Sequence, residues 1–506
     1  MDNSLDLRGT HHPEIVVGLV GALGTPLSIV CELLVEELGG VGYDTEVIRM
    51  TDYIRTWENL PTEYDRDAAA GDRFHALMSR GNELCSSLRR SDALAMLAVV
   101  EINLKRPEEA PQMLEKRAFV LHQLKRPEEV RLLRQVYGDA FHLVGVSASQ
   151  RLRLEYLNAV RNIPNQDALK LIGRDADEEI KFGQQLTKTF HHADLFVEIK
   201  GIDDSAKESV RPQITRYLDL LFGREIVTPT KQEYGMYLAY SASLRSGDLS
   251  RQVGAAVFSN SFDVLGVGCN EVPAPHGGQY WGEEDSDRDV ERGEDANTVL
   301  ELECIAEILE LTDDEWKNRG EDERSEIVRH TSEVWKHTRL MNLTEFGRPV
   351  HAEMEALLSA GRIGCSTRDG VLFTTTFPCH NCAKHIVGSG IAKVTYIEPY
   401  AKSLASRLYK DSIAIQLGGE VEDGGRVLFS PFHGVSPKRF ARLFAMVDPD
   451  GKKRNRKNSA GKVIRGLLEL RLAASPLTHV DRESVVGQFL NDTMNRVIEG
   501  AGEADE

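Results

Sequence analysis

Two short segments of the chain carry residue types that bind metals and transfer protons. The first is His351-Ala-Glu353, and the second, further along, is Pro378-Cys379-His-Asn-Cys382. A catalytic zinc ion takes three protein ligands, leaves its fourth position for water and lowers the pKa of that water towards neutrality. We therefore predict that His351, Cys379 and Cys382 bind Zn²⁺ and that Glu353 is the general acid/base of a hydrolytic reaction.

Together the two segments match the pattern H-x-E followed by P-C-x-x-C, which is characteristic of zinc-dependent nucleobase deaminases. In this chemistry, activated water attacks C4 of a cytosine, and a glutamate transfers protons to N3 and to the departing amine. A Cys-x-x-Cys pair alone is also compatible with a structural zinc site or a redox pair. A structural site requires a fourth Cys or His at similar spacing, and a redox pair predicts no nearby His-x-Glu. The composite pattern therefore favours a catalytic site.

The residues around both segments predict the elements that position them. Val371–Thr376 is rich in β-branched residues and predicts a strand, Pro378 predicts the start of a helix that carries both cysteines, and Val394–Ile397 predicts the next strand. This β-α-β unit is expected to be parallel and right-handed. A second helix is predicted to begin near His351, so the N-termini of two helices would face one metal.

The region upstream extends the same domain. Thr230–Leu244 has helical periodicity, and Arg251–Phe258 with Val264–Asn270 predicts a hairpin. At this point the chain resembles the deoxycytidylate deaminase family, whose R-x-V-G-A strand and G-x-N strand end build the nucleoside pocket. The resemblance implies that Asn270 hydrogen-bonds the sugar and that the backbone of Ala352 contacts the cytosine carbonyl. Without the resemblance, a turn residue at a strand end explains Asn270 equally well.

Three longer stretches resemble the bacterial anti-phage dCTP deaminases, which join a P-loop kinase-like module to a deaminase. They are Leu343–Ala356, Thr374–Ile386 and Ile397–Ser403. The resemblance implies conversion of dCTP, and often of dCMP, to the uracil nucleotide, which depletes the dCTP pool during infection. It also implies a homo-oligomer and a regulatory nucleotide or RNA. A housekeeping dCMP deaminase that supplies dUMP and a polynucleotide or tRNA base deaminase remain alternatives.

The positions that would contact the substrate phosphates are less defined by the sequence. Arg251, Lys384 and Lys402 are the candidates, because each is a cation within the deaminase-like region. Spacing does not choose among them, and it does not decide between dCTP and dCMP.

The N-terminal half begins like a nucleotide-binding fold. The apolar strand Ile15–Val20 is followed by a glycine-containing turn and then by a helix from about Ser28 to Leu38. A glycine loop at a helix N-terminus can bind phosphate, which makes Gly18, Gly21, Gly24 and Thr25 the candidate phosphate-loop residues. The Walker pattern G-x-x-x-x-G-K-[ST] is not met, because no lysine follows Gly24. Phosphate binding is therefore predicted without hydrolysis.

Strand and helix patterns alternate through this half, as a parallel α/β sheet requires. We predict an α/β protein with an N-terminal doubly wound P-loop kinase-like domain at residues 1–222. A C-terminal α/β/α cytidine-deaminase-like domain is predicted at residues 223–498, followed by an acidic tail at 499–506. A charged, helix-rich insertion at about 283–346 interrupts the second domain, and a lid, an oligomer contact and an allosteric element are all compatible with it.

Composition restricts the partners. The net charge is −18, whereas proteins that bind polynucleotides usually carry a basic surface. The basic run at 452–457 is more typical of a solvated loop. No apolar run has the length of a membrane span, and seven scattered cysteines indicate free thiols. We predict a cytoplasmic protein with Zn²⁺ as cofactor, free deoxycytidine nucleotides as ligands and no membrane association.

Overall fold

The structure is a computed structural model that describes residues 13–57, 60–106, 114–176, 184–283, 286–336, 338, 340–342, 345–399, 403–416, 424–447, 453, 456–464 and 476–502. Lys402 and parts of the ranges 283–346, 452–457 and 499–506 lie outside the described residues. The chain divides into two compact units. Unit 1 consists of the described residues of Met1–Glu233 and His433–Glu506, and unit 2 of those of Tyr234–Gln416 and Val421–Phe432.

The strands of the described residues are β1 (Ile15–Gly21), β2 (Asp44–Arg49), β3 (Arg117–His122), β4 (Phe141–Ser147), β5 (Leu195–Glu198), β6 (Gly254–Phe258), β7 (Val264–Cys269), β8 (Val371–Thr376), β9 (Lys393–Glu398), β10 (Ile413–Ile415), β11 (Val427–Pro431) and β12 (Gly434–Val435). The helices are α1 (Leu27–Gly39), α2 (Met50–Thr56), α3 (Ala70–Ser87), α4 (Ala93–Leu104), α5 (Pro127–Tyr137), α6 (Gln150–Ala159), α7 (Asn165–Ala176), α8 (Leu186–Phe190), α9 (Asp204–Phe222), α10 (Lys231–Ser243), α11 (Asp289–Arg292), α12 (Ala296–Thr312), α13 (Glu321–Trp335), α14 (Ala352–Arg362), α15 (His380–Gly388), α16 (Ala405–Leu408), α17 (Pro437–Phe444) and α18 (Pro476–Gly502). Within the described part of the chain, none of these helices combines the length and apolar composition needed to cross a membrane.

The sheet of unit 1 has the order β12-β5-β4-β1-β3-β2, in which β1 to β5 are parallel and β12 is antiparallel to β5. Strand β1 is buried at every position, as expected for a parallel strand covered on both faces. β1 connects to β2 towards one edge, and β4 connects to β5 towards the other. The carboxyl ends of β1 and β4 therefore form a topological switch point, where α/β sheets bind ligands.

The C-terminal residues complete unit 1. Val435 of β12 pairs with Leu195, and Val435 and Leu443 of α17 are buried in the same hydrophobic core as α1 and α9. This division differs from the predicted ranges 1–222 and 223–498, since residues from His433 onwards belong to unit 1. Hydrophobic periodicity indicates a strand or a helix, but it does not indicate which distant strand becomes its neighbour.

The sheet of unit 2 has the order β10-β11-β9-β8-β6-β7. β6 is antiparallel to both β7 and β8, while β8, β9, β11 and β10 are parallel. Helix α14 packs closely on β7, where a Cβ at Gly268 would lie 2.5 Å from the backbone oxygen of Ala352. Glycine at this strand position therefore allows the start of α14 to lie against the sheet.

The predicted hairpin and β-α-β unit are present as β6–β7 and β8–α15–β9. The predicted helix near His351 is α14. One detail differs, because α15 begins at His380 and Cys379 is its N-cap residue instead of lying within the helix. The insertion is helical at α11, α12 and α13, and a small core of Ile305, Trp316 and Val328 joins its helices.

Candidate active site

Two helix N-termini bring the three predicted zinc ligands together. His351 is the N-cap residue of α14, and Cys379 is the N-cap residue of α15, whose first turn carries Cys382. Both cap residues have an extended backbone, so each side chain branches off just before its helix starts. Cys379 Sγ accepts a hydrogen bond from the backbone N–H of Cys382 at 3.4 Å, which satisfies one amide at the start of α15.

The three side chains are spaced as ligands of one zinc ion. His351 Nδ1 lies 3.4 Å from Cys379 Sγ and 3.3 Å from Cys382 Sγ, and the two sulfur atoms are 3.6 Å apart. Sulfur at about 2.3 Å and nitrogen at about 2.0 Å from a tetrahedral zinc ion are roughly 3.5–3.8 Å from one another. Among the described residues, the ligand atoms of His351, Cys379 and Cys382 lie within 4.8 Å of one another, close enough to hold one metal ion. Donor types and spacing therefore fit Zn²⁺.

Glu353 lies in the first turn of α14, beside the ligands. It is 4% exposed, and its Oε2 accepts a hydrogen bond from Cys382 Sγ at 3.2 Å. The hydroxyl of Thr374 on β8 lies 3.5 Å from Oε1. Burial raises the pKa of Glu353, and the negative charge of Cys379 raises it further. A carboxyl group with a raised pKa holds a proton more readily, which suits a group that must both accept and donate one in general acid/base catalysis.

The two thiols differ in their acidity. Interaction with the side chain of Cys382 lowers the pKa of Cys379 to about 4, and the imidazole of His351 acts in the same direction. Burial raises the pKa of Cys382. Hydrogen bonding to Cys379 raises the pKa of His351. Cys379 is therefore a thiolate at neutral pH, which is the form that binds a metal ion.

Asn270 follows β7 and holds the loop that precedes β6. Its Oδ1 accepts a hydrogen bond from Val253 N at 2.7 Å, and its Nδ2 donates one to Arg251 O at 2.8 Å. The residue is buried, so these bonds are shielded from water. Asn270 thus holds the backbone at Arg251 in place. The sequence did not predict this role for Asn270. Its predicted contact with a sugar stays a prediction.

One cavity of about 550 Å³ joins the predicted site residues, and this volume is within the usual range for small-molecule pockets. Its lining includes Arg251, Asn270, His351, Ala352, Glu353 and Cys379. Lys384, another candidate for phosphate binding, is exposed on α15, donates a hydrogen bond to Asn381 and does not line this cavity. Of the two candidates for phosphate binding that the structure describes, Arg251 borders the cavity and Lys384 does not.

The insertion supplies a wall of the cavity, which the sequence did not reveal. The residues concerned are Asp289, Asp295, Asn297, Thr298, Glu301 and Met341. Asp295 caps α12 by accepting a hydrogen bond from Asn297 N at 2.9 Å, and Glu301 accepts one from Asn297 Nδ2 at 3.0 Å. An N-cap residue followed by an apolar run predicts where α12 starts. The same sequence pattern does not indicate that the start of α12 faces the cavity.

Ion pairs attach the insertion to the segment that leads into α14. Arg348 donates hydrogen bonds to Asp289 Oδ1 and to the backbone oxygen of Asp287, both at 2.7 Å. Arg288 pairs with the buried Glu271 at 3.6 Å, and the backbone of Glu271 bridges to Val350. Because Arg348 lies three residues before His351, the wall and the first zinc ligand share one support.

The predicted phosphate-loop residues of unit 1 do not all lie in the turn. Gly18 lies within β1, where a Cβ would come 2.8 Å from Leu124 Cδ1, so close packing explains this glycine. Gly21 ends β1, and Gly24 and Thr25 lie between β1 and α1. Gly24 has a φ of +88°, and a Cβ there would lie 2.7 Å from the backbone oxygen of Arg153. Gly18 is therefore not a loop residue, and phosphate binding by the turn stays a prediction.

Residues 229–398 match the family described as "Cytidine and deoxycytidylate deaminase zinc-binding region". This segment includes the His351, Cys379 and Cys382 cluster, Glu353 and the strands that position them. The segment that matches this zinc-binding region therefore contains the residues that the sequence predicted as a zinc site, and Zn²⁺ is its cofactor.

Individual proteins share parts of this segment. The deoxycytidylate deaminase of Enterobacteria phage T2 is 44% identical over 54 residues, which are 11% of this chain and 29% of the phage protein. The mouse deoxycytidylate deaminase is 24% identical over 218 residues, or 42% of this chain and 82% of the mouse protein. The chain thus spans less than a third of the phage relative.

A dCMP deaminase from the cyanophage S-TIM5, crystallised with dCMP and dUMP, is 22% identical in sequence. The alignment covers 39% of this chain and 98% of the cyanophage chain, with a TM-score of 0.23. A score of this size does not establish a common fold.

Proposed function

We propose that this protein hydrolyses free deoxycytidine nucleotides, dCMP and dCTP, to the deoxyuridine nucleotides and ammonia. The observation that carries the proposal is the cluster of His351, Cys379 and Cys382. The first two of these residues line one cavity together with the buried carboxyl group of Glu353. The described residues supply three ligands, which leave one position of a tetrahedral metal open, as catalytic zinc sites require.

The chain's own residues supply proton transfer and exclusion of water. Bound zinc would supply the activation of a water molecule as nucleophile near neutral pH. A carboxylate oxygen of Glu353 would accept one proton of that water and deliver it to N3, and would then transfer the second proton of the same water to the amine at C4. The exchange balances, because one water enters and one ammonia leaves. Burial of Glu353 beside the cysteines keeps this proton away from bulk solvent.

The cavity lining supports an orientation for the nucleotide. The base lies towards Glu353 and the metal ligands, and the backbone of Ala352 at the start of α14 contacts the cytosine carbonyl. Arg251 borders the same cavity and supplies the positive charge for a phosphate, while Asn270 holds the backbone of Arg251 in place. These roles for Ala352, Asn270 and Arg251 rest on the resemblance of the sequence together with their common cavity.

Charge supports a free nucleotide over a polynucleotide. The chain carries a net charge of −18. Among the described residues that line the cavity, Asp248, Asp289, Asp295 and Glu301 are acidic, and Arg251 is the one arginine or lysine. A polynucleotide would bring several phosphates to this acidic surface, whereas nucleic acid binding normally depends on clustered Lys and Arg.

The choice of dCTP in addition to dCMP rests on the resemblance to the anti-phage dCTP deaminases. In that setting, consumption of dCTP would deprive a replicating phage of a DNA precursor. We extend the proposal to a cytoplasmic homo-oligomer whose activity responds to a nucleotide or an RNA. A P-loop kinase-like role for unit 1 belongs to the same proposal, and its parallel sheet supports it.

The test is ammonia release by the purified zinc protein with dCMP, dCTP, cytidine and single-stranded DNA. We expect turnover of dCMP and dCTP, with Glu353→Gln lowering kcat by about 10²–10⁴-fold while the zinc content stays unchanged. Glu307→Gln, at an exposed position of α12, is the matched control and is expected to keep full activity. Release of ammonia from none of the substrates by zinc-loaded protein would contradict the proposal, and release from DNA alone would favour a polynucleotide deaminase.

A further inference from the structure

The turn between β1 and α1 in unit 1 is bonded to a carboxylate of its own chain. Asp175, near the end of α7, accepts a hydrogen bond from the backbone N–H of Leu23 at 2.6 Å. Asp175 is 1% exposed, although α7 lies far along the chain from the turn. An amide at the N-terminal side of a helix, next to a switch point of the sheet, is a position that favours anions. A side-chain anion therefore occupies this position.

Two cations from other elements surround the same carboxylate. Lys125, which follows β3, forms an ion pair with Asp175, and the lysine side chain is 13% exposed. Arg153 of α6 lies against the turn, where a Cβ at Gly24 would come within 2.9 Å of Arg153 Cβ. Burial lowers the pKa of Arg153, and the charge of Asp175 partly opposes this effect. Arg153 also donates a hydrogen bond to the backbone oxygen of Leu23 at 3.5 Å, so a second cationic side chain lies at the turn that Asp175 and Lys125 contact.

Two polar atoms at the turn are also left without hydrogen bonds. Thr25 is 6% exposed, and its Oγ1 is buried with no hydrogen-bond partner among the described residues. Arg153 Nε is also buried and has no hydrogen-bond partner among the described residues. Buried polar groups normally have partners, and leaving one unpaired is unfavourable. A hydroxyl donor and a guanidinium donor next to one helix N-terminus are the groups that an oxyanion would satisfy.

We propose that the turn formed by residues 22–26, with Lys125 and Arg153, binds a small oxyanion of the phosphate type, and that Asp175 is a built-in competitor for this anion. The competition follows from the bonds of Asp175, because an anion that binds the Leu23 amide and Lys125 must displace its carboxylate. The inference rests on the phosphate-loop role proposed for unit 1 and adds its control by Asp175, and it does not depend on the deaminase activity. It also accounts for a turn without the Walker lysine, since its cations come from the segment after β3 and from α6.

The test measures binding of inorganic phosphate and pyrophosphate by calorimetry to the full-length zinc protein and its variants. Asp175→Asn removes the charge and keeps the shape, so we expect it to bind pyrophosphate at least tenfold more tightly than wild type. Asp167→Asn, at an exposed position of the same helix, is the matched control and should behave as wild type. The double variant Asp175→Asn with Lys125→Gln should lose the gain. Parallel titrations with dCTP and ATP distinguish a free oxyanion from the phosphates of a nucleotide.

Folding is monitored by circular dichroism and zinc content, and Asp175→Ala serves as a second variant with the same expectation. Equal affinity for pyrophosphate in wild type and folded Asp175 variants would overturn the proposal, and so would absence of binding in all of them. If neither variant folds, wild type is titrated to high pyrophosphate concentration. Weak binding that Arg153→Gln removes would then support the proposal, and no binding would overturn it.

Discussion

The metal ligands are the residues with the clearest individual roles. Cys379 has two roles. It is the N-cap residue of α15, and it is a zinc ligand, because it is a thiolate at neutral pH and its sulfur lies 3.6 Å from that of Cys382. Serine at this position would keep a cap group but would lose the soft thiolate ligand. The role as ligand is therefore separable from the role as helix cap.

We expect Cys379→Ser to fold, to lose its stoichiometric zinc and to lose deaminase activity. Treatment of the wild type with a chelator should have the same effect on activity, and added Zn²⁺ should restore it only in the wild type. The measurements are zinc content, circular dichroism and ammonia release. Cys365→Ser, at a half-buried cysteine that does not line the cavity, is the control. Full activity of a zinc-free Cys379→Ser protein would exclude a catalytic metal.

The sequence predicts residue roles well where the chemistry is local. Cys379 and Cys382 are three positions apart at the start of α15, so helix geometry brings the two thiols to one face. His351 and Glu353 are two positions apart at the start of α14, so one short segment carries both. Asn270 and the turn at Gly24 are different, because their contacts are set by partners far away in the sequence. Asp175, which bonds to the turn, follows Leu23 by 152 positions. A pattern of neighbouring residues contains no record of such contacts.

Among the helices and strands, the sequence predicts which elements form but not which distant elements they contact. Strand β8, helix α15 and strand β9 form as the β-branched runs and Pro378 predict. The insertion was also recognisable as helical, yet its contribution to the cavity was not, because exposed and cavity-facing polar residues look alike in a sequence. Helix α12 contributes Asn297 and Glu301 to the cavity, so the insertion is part of the site.

Arg348 is expected to position the insertion without taking part in the chemistry. Arg348→Gln removes the charge that pairs with the buried Asp289, so α11 and the start of α12 should lose a fixed position beside the cavity. We expect KM for dCMP to rise severalfold, with zinc content unchanged and a much smaller effect on kcat. Arg292→Gln, which breaks only the exposed pair with Asp287, is the control. A fall in kcat with an unchanged KM would contradict a positioning role.

At the scale of the whole molecule, the chain leaves unit 1, builds unit 2 and returns to unit 1. The returning part is held by buried charges as well as by the core. Arg106 bonds to Glu14 at 2.7 Å and to Glu483 of α18 at 2.6 Å, and all three side chains are at most 2% exposed. A sequence shows three charged residues at distant positions, and nothing in it indicates that they form one buried network.

Arg106→Ala should strongly destabilise unit 1. It leaves the carboxylates of Glu14 and Glu483 buried without their counter-charge, which typically costs about 3–5 kcal/mol. Native-state hydrogen exchange of α4 and α18 measures the loss. Arg55→Ala, at an exposed pair with Asp52, should change stability by less than about 1 kcal/mol. Equal exchange in the two variants would show that the network contributes nothing to the attachment of α18.

A buried histidine gives unit 1 a defined dependence on pH. Burial lowers the pKa of His142 to about 3, and the positive charge of Arg439 contributes to the shift. In the unfolded chain the pKa is about 6.5. Between these values the unfolded chain binds a proton that the folded chain excludes. The stabilising contribution is therefore complete above pH 6.5 and decreases as the pH falls towards 3, by up to about 1.4 kcal/mol for each pH unit.

We expect the free energy of unfolding of unit 1 to fall between about pH 7 and pH 5, and the fall to be smaller in His142→Gln. Glutamine has no proton to gain in this range and can still form a hydrogen bond with Tyr217, whose hydroxyl lies 3.0 Å from His142 Nδ1. Because His122 and His192 also have pKa values lowered to about 4, part of the dependence should remain in the variant. Hydrogen exchange of β4 at both pH values provides the measurement. The same pH dependence in variant and wild type would mean that His142 is already protonated in the folded protein.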